Sequence, residues 1–248
     1  MKELELIGRE VETLRAAGKS AVLATVVSIE GSSYRLPGAR MLIAAATWKA
    51  GSVSGGCLES DVVLRAREVL EKKQAAVVTY DTTSDEDIVF GVGLGCRGII
   101  KVLIEPVTPQ RAEPDLVTFI MRCIVRRQTG VAATVIGVEG RVNAKLGQRL
   151  VRSADGAPSS NIADGALNAA IEAHLASTAA SHTTAFDLAE GTTQVFIEIV
   201  RPPIPFIVFG AGHDAIPAAR LAKELGWHVT VSDHRAAYAT LERFPFAD

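Results

Sequence analysis

Near the C-terminus the chain runs Phe206-Ile207-Val208-Phe209, then Gly210-Ala211-Gly212-His213-Asp214-Ala215. The unbroken apolar tetrapeptide reads as a parallel strand covered on both faces. Ile216, Ala219 and Leu225 then recur at helical spacing as far as Gly226, and Val229-Thr230-Val231 forms the next strand, ending at Asp233. The order strand, G-x-G-x-x-A, helix, strand, acid leaves few alternatives. Gly210 permits the tight turn, Gly212 lets the backbone approach a pyrophosphate at the positive end of the helix, and Ala215 allows close helix–strand packing. Asp233 is placed to accept from a ribose 2′-OH.

This is a Rossmann-type βαβ unit, and it sits behind a stiff boundary, Arg201-Pro202-Pro203-Ile204-Pro205. The division expected is 1–200 for a first domain and 205–248 for the βαβ unit. A segment of roughly 44 residues buries too little surface to stand alone, so the unit reads as incomplete: either the chain is a fragment, or the unit leans on the first domain or on a second copy of the chain. Homo-oligomerisation is the expectation that follows. Upstream, apolar strands and amphipathic helices alternate, so the fold class is α/β, a mixed α/β N-terminal domain followed by the βαβ unit. Leu4, Ile7, Val11 and Leu14 mark a first helix stopped by Gly18, and Ala21 to Ile29 a buried strand. Strands are expected at 41–45, 76–80, 99–104, 131–138, 147–151 and 194–200, and helices from about Cys57 and at 116–124 and 163–175. No internal repeat is legible.

The balance of 26 Lys+Arg against 28 Asp+Glu gives a net charge of −2, which argues against a nucleic-acid partner. Three cysteines do not make a disulfide scaffold and fit a reducing, cytoplasmic setting. Neither a signal segment nor a membrane span is visible.

Chemistry concentrates on two glycine loops. Gly51-Ser52-Val53-Ser54-Gly55-Gly56-Cys57 puts Cys57 where a loop meets a helix start, and amides there favour a thiolate or an anion, with Gly55 and Gly56 as donors. Gly93-Leu94-Gly95-Cys96-Arg97-Gly98 places Cys96 comparably, with Arg97 beside it to hold a phosphate. Two lone thiols on glycine loops suit a soft metal centre or a sulfur-bearing ligand, so Cys57 and Cys96 are the metal-ligand candidates. Arg35 and Arg40, flanking Pro37-Gly38 with Ser33, could clamp an anion. Cys123 reads as core. Asp81, Asp85, Glu86 and Asp87 read as a solvated acidic loop, and His174, His182, His228 and His234 show no ligand spacing, whereas His213 stands inside the glycine fingerprint.

Taken together, Gly31-Ser32-Ser33-Tyr34-Arg35-Leu36-Pro37-Gly38-Ala39-Arg40-Met41, Gly51 to Glu59, Gly93 to Gly98 and Phe209 to His213 resemble the XdhC/CoxI family in sequence and order. The chain departs from that pattern in Tyr34, where Pro is usual, in Arg97, where Gly is usual, and in Ala215-Ile216, where Val-Gly is typical. The resemblance implies an accessory protein rather than a turnover enzyme. It implies a chaperone that binds the molybdenum cofactor (molybdopterin, with or without an added nucleotide), supports its sulfuration with a sulfur-donating cysteine desulfurase, and inserts it into a molybdenum hydroxylase such as xanthine dehydrogenase. Cys57, Cys96, Arg35 and Arg40 match the positions for cofactor handling. The alternatives are an NAD(P)-dependent oxidoreductase or a nucleotide-sensing regulator that uses Gly210, Gly212, His213 and Asp233.

Overall fold

The computed structural model describes residues 2–45, 47–83 and 97–248. It opens with α1 (Lys2–Ala16), whose Ile7 and Val11 are buried, and continues through β1 (Ala21–Gly31), β2 (Arg40–Ala44), β3 (Thr47–Gly51), α2 (Glu59–Lys72), β4 (Ala76–Asp81) and β5 (Gly98–Val107). The order of elements then repeats: α3 (Leu116–Arg126), β6 (Gly130–Gly140), β7 (Arg149–Ser153), β8 (Ser159–Ser160), α4 (Gly165–Leu175), β9 (His182–Leu188) and β10 (Gly191–Val200).

The repetition extends to topology and register. The first five-stranded sheet runs β3-β2-β1-β5-β4 and the second β8-β7-β6-β10-β9. Neighbouring strands pair antiparallel in both. Thr25 pairs with Arg40 in one and Thr134 with Arg149 in the other. Each sheet carries a bulge at the same place, with Val27 skipped between β1 and β5 and Ile136 skipped between β6 and β10. With the register known, GIIKVLIEPV of β5 aligns with GTTQVFIEIV of β10, and SIEG at the end of β1 with GVEG at the end of β6. The chain is therefore internally duplicated, contrary to the reading from sequence. The copies have diverged too far in their loops for the repeat to show without strand pairing to anchor it.

One face of the first sheet is covered by α2, through Leu58, Val62, Ala66 and Val69 against Val22, Ala24, Val26 and Ile104. The second sheet is covered in the same way by α4, through Leu167, Ile171 and Leu175. The remaining faces share a core with α1 and α3. Equivalent residues of the two repeats meet each other there. Val27 and Ile136 cluster with Leu103 and Phe196, and Lys101 Nζ lies 3.5 Å from Gln194 Oε1, as expected around a local twofold axis.

The repeats are also latched across one another. Arg40 of the first is paired with Glu198 of the second, and Arg149 of the second with Glu105 of the first, all four largely buried. The last segment is β11 (Pro205–Phe209), α5 (Ala215–Glu224) and β12 (His228–Ser232), with β11 and β12 parallel as the glycine pattern predicts. No helix among the described residues is long and apolar enough to cross a membrane.

Candidate functional site

β1 ends, β2 begins, β3 ends and β5 begins at one end of the first sheet, so the segments that follow β1 and β3 and Arg97 just before β5 are neighbours there. The close approach needs glycine. A Cβ on Gly31, whose φ is +84°, would fall 2.5 Å from the Arg97 carbonyl oxygen, and one on Gly98 would fall 2.6 Å from that of Ser32. Ser32 seals the contact. Its amide donates to Arg97 O at 2.9 Å, and its hydroxyl accepts from the Arg97 amide at 3.0 Å. Tyr34 brings in the third loop, its ring lying 3.3 Å from where a Cβ of Gly55 would stand.

Ser54 and Glu59 shape the loop that carries Cys57. Glu59 Oε1 accepts the amides of Val53 (3.2 Å) and Ser54 (2.9 Å), while the Ser54 hydroxyl donates to Glu59 Oε2. That hydroxyl also accepts from Gly56 and Leu58, each at 3.1 Å. Burial pushes the Glu59 carboxyl up, but the bonds from Ser54 and the Val53 amide outweigh it and hold the group below the usual carboxylate range. Cys57 is half-buried just before α2, with Gly55 and Gly56 exposed beside it. Sequence reasoning passed over Ser54 and Glu59, because nothing in the spacing shows that a buried glutamate organises the preceding loop.

The arginines divide. Arg97 is exposed at the mouth of the cluster and enters no ion pair among the described residues. Arg35 is paired with Glu3 of α1, and Glu3 also accepts the Ser52 amide at 2.9 Å. Arg40 is directed inward. Its guanidinium reaches Glu198 Oε1 at 2.8 Å, Glu198 Oε2, and the Gly38 carbonyl at 2.8 Å, so it is spent on the frame rather than turned toward a ligand. Ser33 Oγ is buried without a hydrogen-bond partner among the described residues. Cys96, with Gly93, Gly95, Asp85, Glu86 and Asp87, lies outside the described residues. Asp81 bonds locally to Thr83 at 2.9 Å, and Cys123 is core, where burial pushes its thiol up. His174 of α4 and His182 of β9 meet with Nε2 atoms 3.0 Å apart. Among the described residues, no three or more His, Cys, Asp or Glu side chains gather as a metal site.

At the C-terminal unit, Gly210 (φ +110°) donates to Ser232 O at 2.7 Å, and the Ala211 amide donates to Asp233 Oδ2 at 2.8 Å. Asp233 is held well below the usual carboxylate range, first by the Arg235 side chain and then by the Ala211 and Arg235 amides. Arg235 Nε and Nη2 occupy its two oxygens at 3.0 and 2.9 Å, so a ribose hydroxyl would have to displace Arg235. Gly212 and the exposed His213 lie in the turn that follows Gly210.

Residues 14–81 match the model of the XdhC and CoxI family, and residues 206–248 match the XdhC Rossmann domain. A Bacillus subtilis protein named as a probable xanthine dehydrogenase subunit is 34% identical over 231 residues, 93% of this chain and 64% of its own length. The Escherichia coli molybdenum cofactor insertion chaperone PaoD is 31% identical over 121 residues, 49% of this chain and 36% of its own. The crystal structure of a protein named as a xanthine dehydrogenase from Bacillus halodurans superposes with a TM-score of 0.73 at 27% identity, over 97% of this chain and 66% of that one. The chain thus spans less than two thirds of the curated relatives it matches. With both family regions present in order and the fold shared over nearly its whole length, the chain belongs to the XdhC and CoxI family.

Proposed function

We propose that the chain is a molybdenum-cofactor chaperone. It receives the cofactor as cargo at the loop cluster of the first sheet and passes it to a molybdenum hydroxylase of the xanthine dehydrogenase type. The observation that carries this reading is the close approach of Arg97 to Ser32 and of Tyr34 to Gly55, on the segments that also carry Cys57 and Ser33, whose hydroxyl has no partner among the described residues. The donor set fits the cargo. The exposed Gly55 backbone and the Arg97 guanidinium suit a pterin phosphate, the Gly56 amide being already given to Ser54 Oγ, and a cysteine sulfur suits a soft metal or a sulfur ligand. Cys57 and Cys96 are the proposed metal-side ligands, and a cysteine desulfurase is the proposed donor of the sulfur installed while the cargo is held. Arg40 belongs to the frame in this reading, and Arg35 would have to leave Glu3 to reach a phosphate. The names of the two curated relatives, an insertion chaperone and a dehydrogenase subunit, support the same chemistry.

The test is anaerobic titration with molybdenum cofactor, followed by reconstitution of a cofactor-free hydroxylase. Wild type is expected to load and reconstitute, and Cys57→Ala and Cys96→Ala to lose both while staying folded. A folded wild type that takes up no cofactor overturns the reading.

A further inference from the structure

The duplicated latches are not equivalent. At one, Arg40 engages both oxygens of Glu198. At the other, Arg149 reaches only Glu105 Oε2 and spends Nε and Nη2 on the Gly147 carbonyl at 3.0 and 2.8 Å. Glu105 Oε1 is left buried with no hydrogen-bond partner among the described residues. Both Glu105 and Arg149 line a cleft of about 960 Å³ between the repeats, within the size range of small-molecule sites. Leu23, Val77 and Ile136 contribute apolar wall, and Lys73 and Lys145 are exposed at its rim. Neither ammonium enters an ion pair among the described residues. The cleft adjoins the C-terminal end of α2, one helix length, about 20 Å, from Cys57. It is therefore not the loop cluster.

From this asymmetry we infer that the cleft is a second ligand site, for a nucleoside monophosphate or a molecule of the same chemistry. The charge of Glu105 is already balanced by Arg149, so the free oxygen calls for a neutral N–H donor, such as the exocyclic amine of a base, rather than for a cation. The apolar wall suits the flat face of that base. The two lysines supply the field for a phosphate. The opposite latch shows what the same frame looks like when the carboxylate is closed. This inference does not depend on the cofactor reading, and its test is independent of cofactor loading.

The test is calorimetric titration of the full chain with AMP, GMP and CMP, with inorganic phosphate and unphosphorylated nucleosides as separate arms, and hydrogen exchange to locate the site. At least one nucleotide is expected to bind tenfold or more tighter than phosphate or its own nucleoside, with protection at 136–138 and 145–149. Lys73→Glu with Lys145→Glu, two surface changes that spare the fold, should weaken binding at least tenfold. Glu105→Gln should erase the preference for nucleotide over phosphate, and where that variant fails to fold, the lysine pair alone decides. No binding at millimolar nucleotide, equal affinity for inorganic phosphate, or protection confined to 210–233 would each overturn the inference.

Discussion

Arg40 and Glu198, 158 positions apart, form a two-pronged buried pair that ties the second strand of one repeat to the last strand of the other. Burial costs both charges their hydration, and the fork geometry together with the Gly38 carbonyl offsets that cost. Removing one partner strands the other. Arg40→Ala or Glu198→Ala should therefore each destabilise by about 3–5 kcal/mol in urea melts, whereas Arg40→Met combined with Glu198→Leu should recover most of the loss. Single variants within about 0.5 kcal/mol of wild type would contradict the pair's role.

The centre of the duplication should respond as one packed unit. Leu103 and Phe196 occupy equivalent places within the same buried cluster. Leu103→Ala should cost about 2–5 kcal/mol and Phe196→Ala about 3–5 kcal/mol. The double variant should cost less than their sum, because the second truncation enlarges a cavity already made. Separate unfolding of residues 2–107 and 116–200 in hydrogen exchange would show that the repeats are not joined in this way.

Glu59 makes stability depend on pH in a definite direction. Its folded-state carboxyl is held below 4.5, its ordinary value, so folding favours the ionised form. The contribution is fully present above the unfolded value and drains away as pH falls through the folded one. Glu59→Gln should therefore lower stability at neutral pH, and the gap from wild type should close as pH drops below about 4. A gap that stays constant down to pH 3 would remove the titration from the explanation.

α3 begins on a cap with two duties. Asp115 Oδ1 accepts the Thr118 amide at 2.8 Å, and Oδ2 accepts from Arg15 at 2.5 Å. Asp115→Ala should cost about 2 kcal/mol, the upper end for a lost N-cap, because an ion pair goes with it. Asp164 of α4 caps Leu167 at 2.9 Å and lacks an ion pair among the described residues, so Asp164→Ala should cost about 1 kcal/mol. Thermal melts of both variants at neutral pH read the difference. Equal losses would mean that Arg15 adds nothing at Asp115.

Local pattern located most of the elements. The parallel unit from β11 to β12, the buried run of β1 and the amphipathic faces of α1 and α3 all stand where periodicity places them. The strands that sequence passed over, β3, β8 and β9, are all at sheet edges. An edge strand buries little, and the sequence TWKAG of β3 and the mixed polar run of β9 carry no clean alternation for that reason.

At the candidate site, glycine spacing and the cysteine positions marked the loops, but their meeting depends on strand order. Gly31 and Gly98 touch because β1 and β5 pair across a long stretch of chain, and no local signal encodes that pairing. Arg40 shows the division most clearly. Its sequence neighbours, Pro37, Gly38 and Ala39, describe an arginine on a turn, free to bind an anion. Its actual partner, Glu198, arrives from the other repeat. Short-range backbone preferences settle which segments become helix or strand. The fate of a charged side chain is settled by which opposite charge burial brings within reach, and in this chain that was decided by the packing of one repeat against the other.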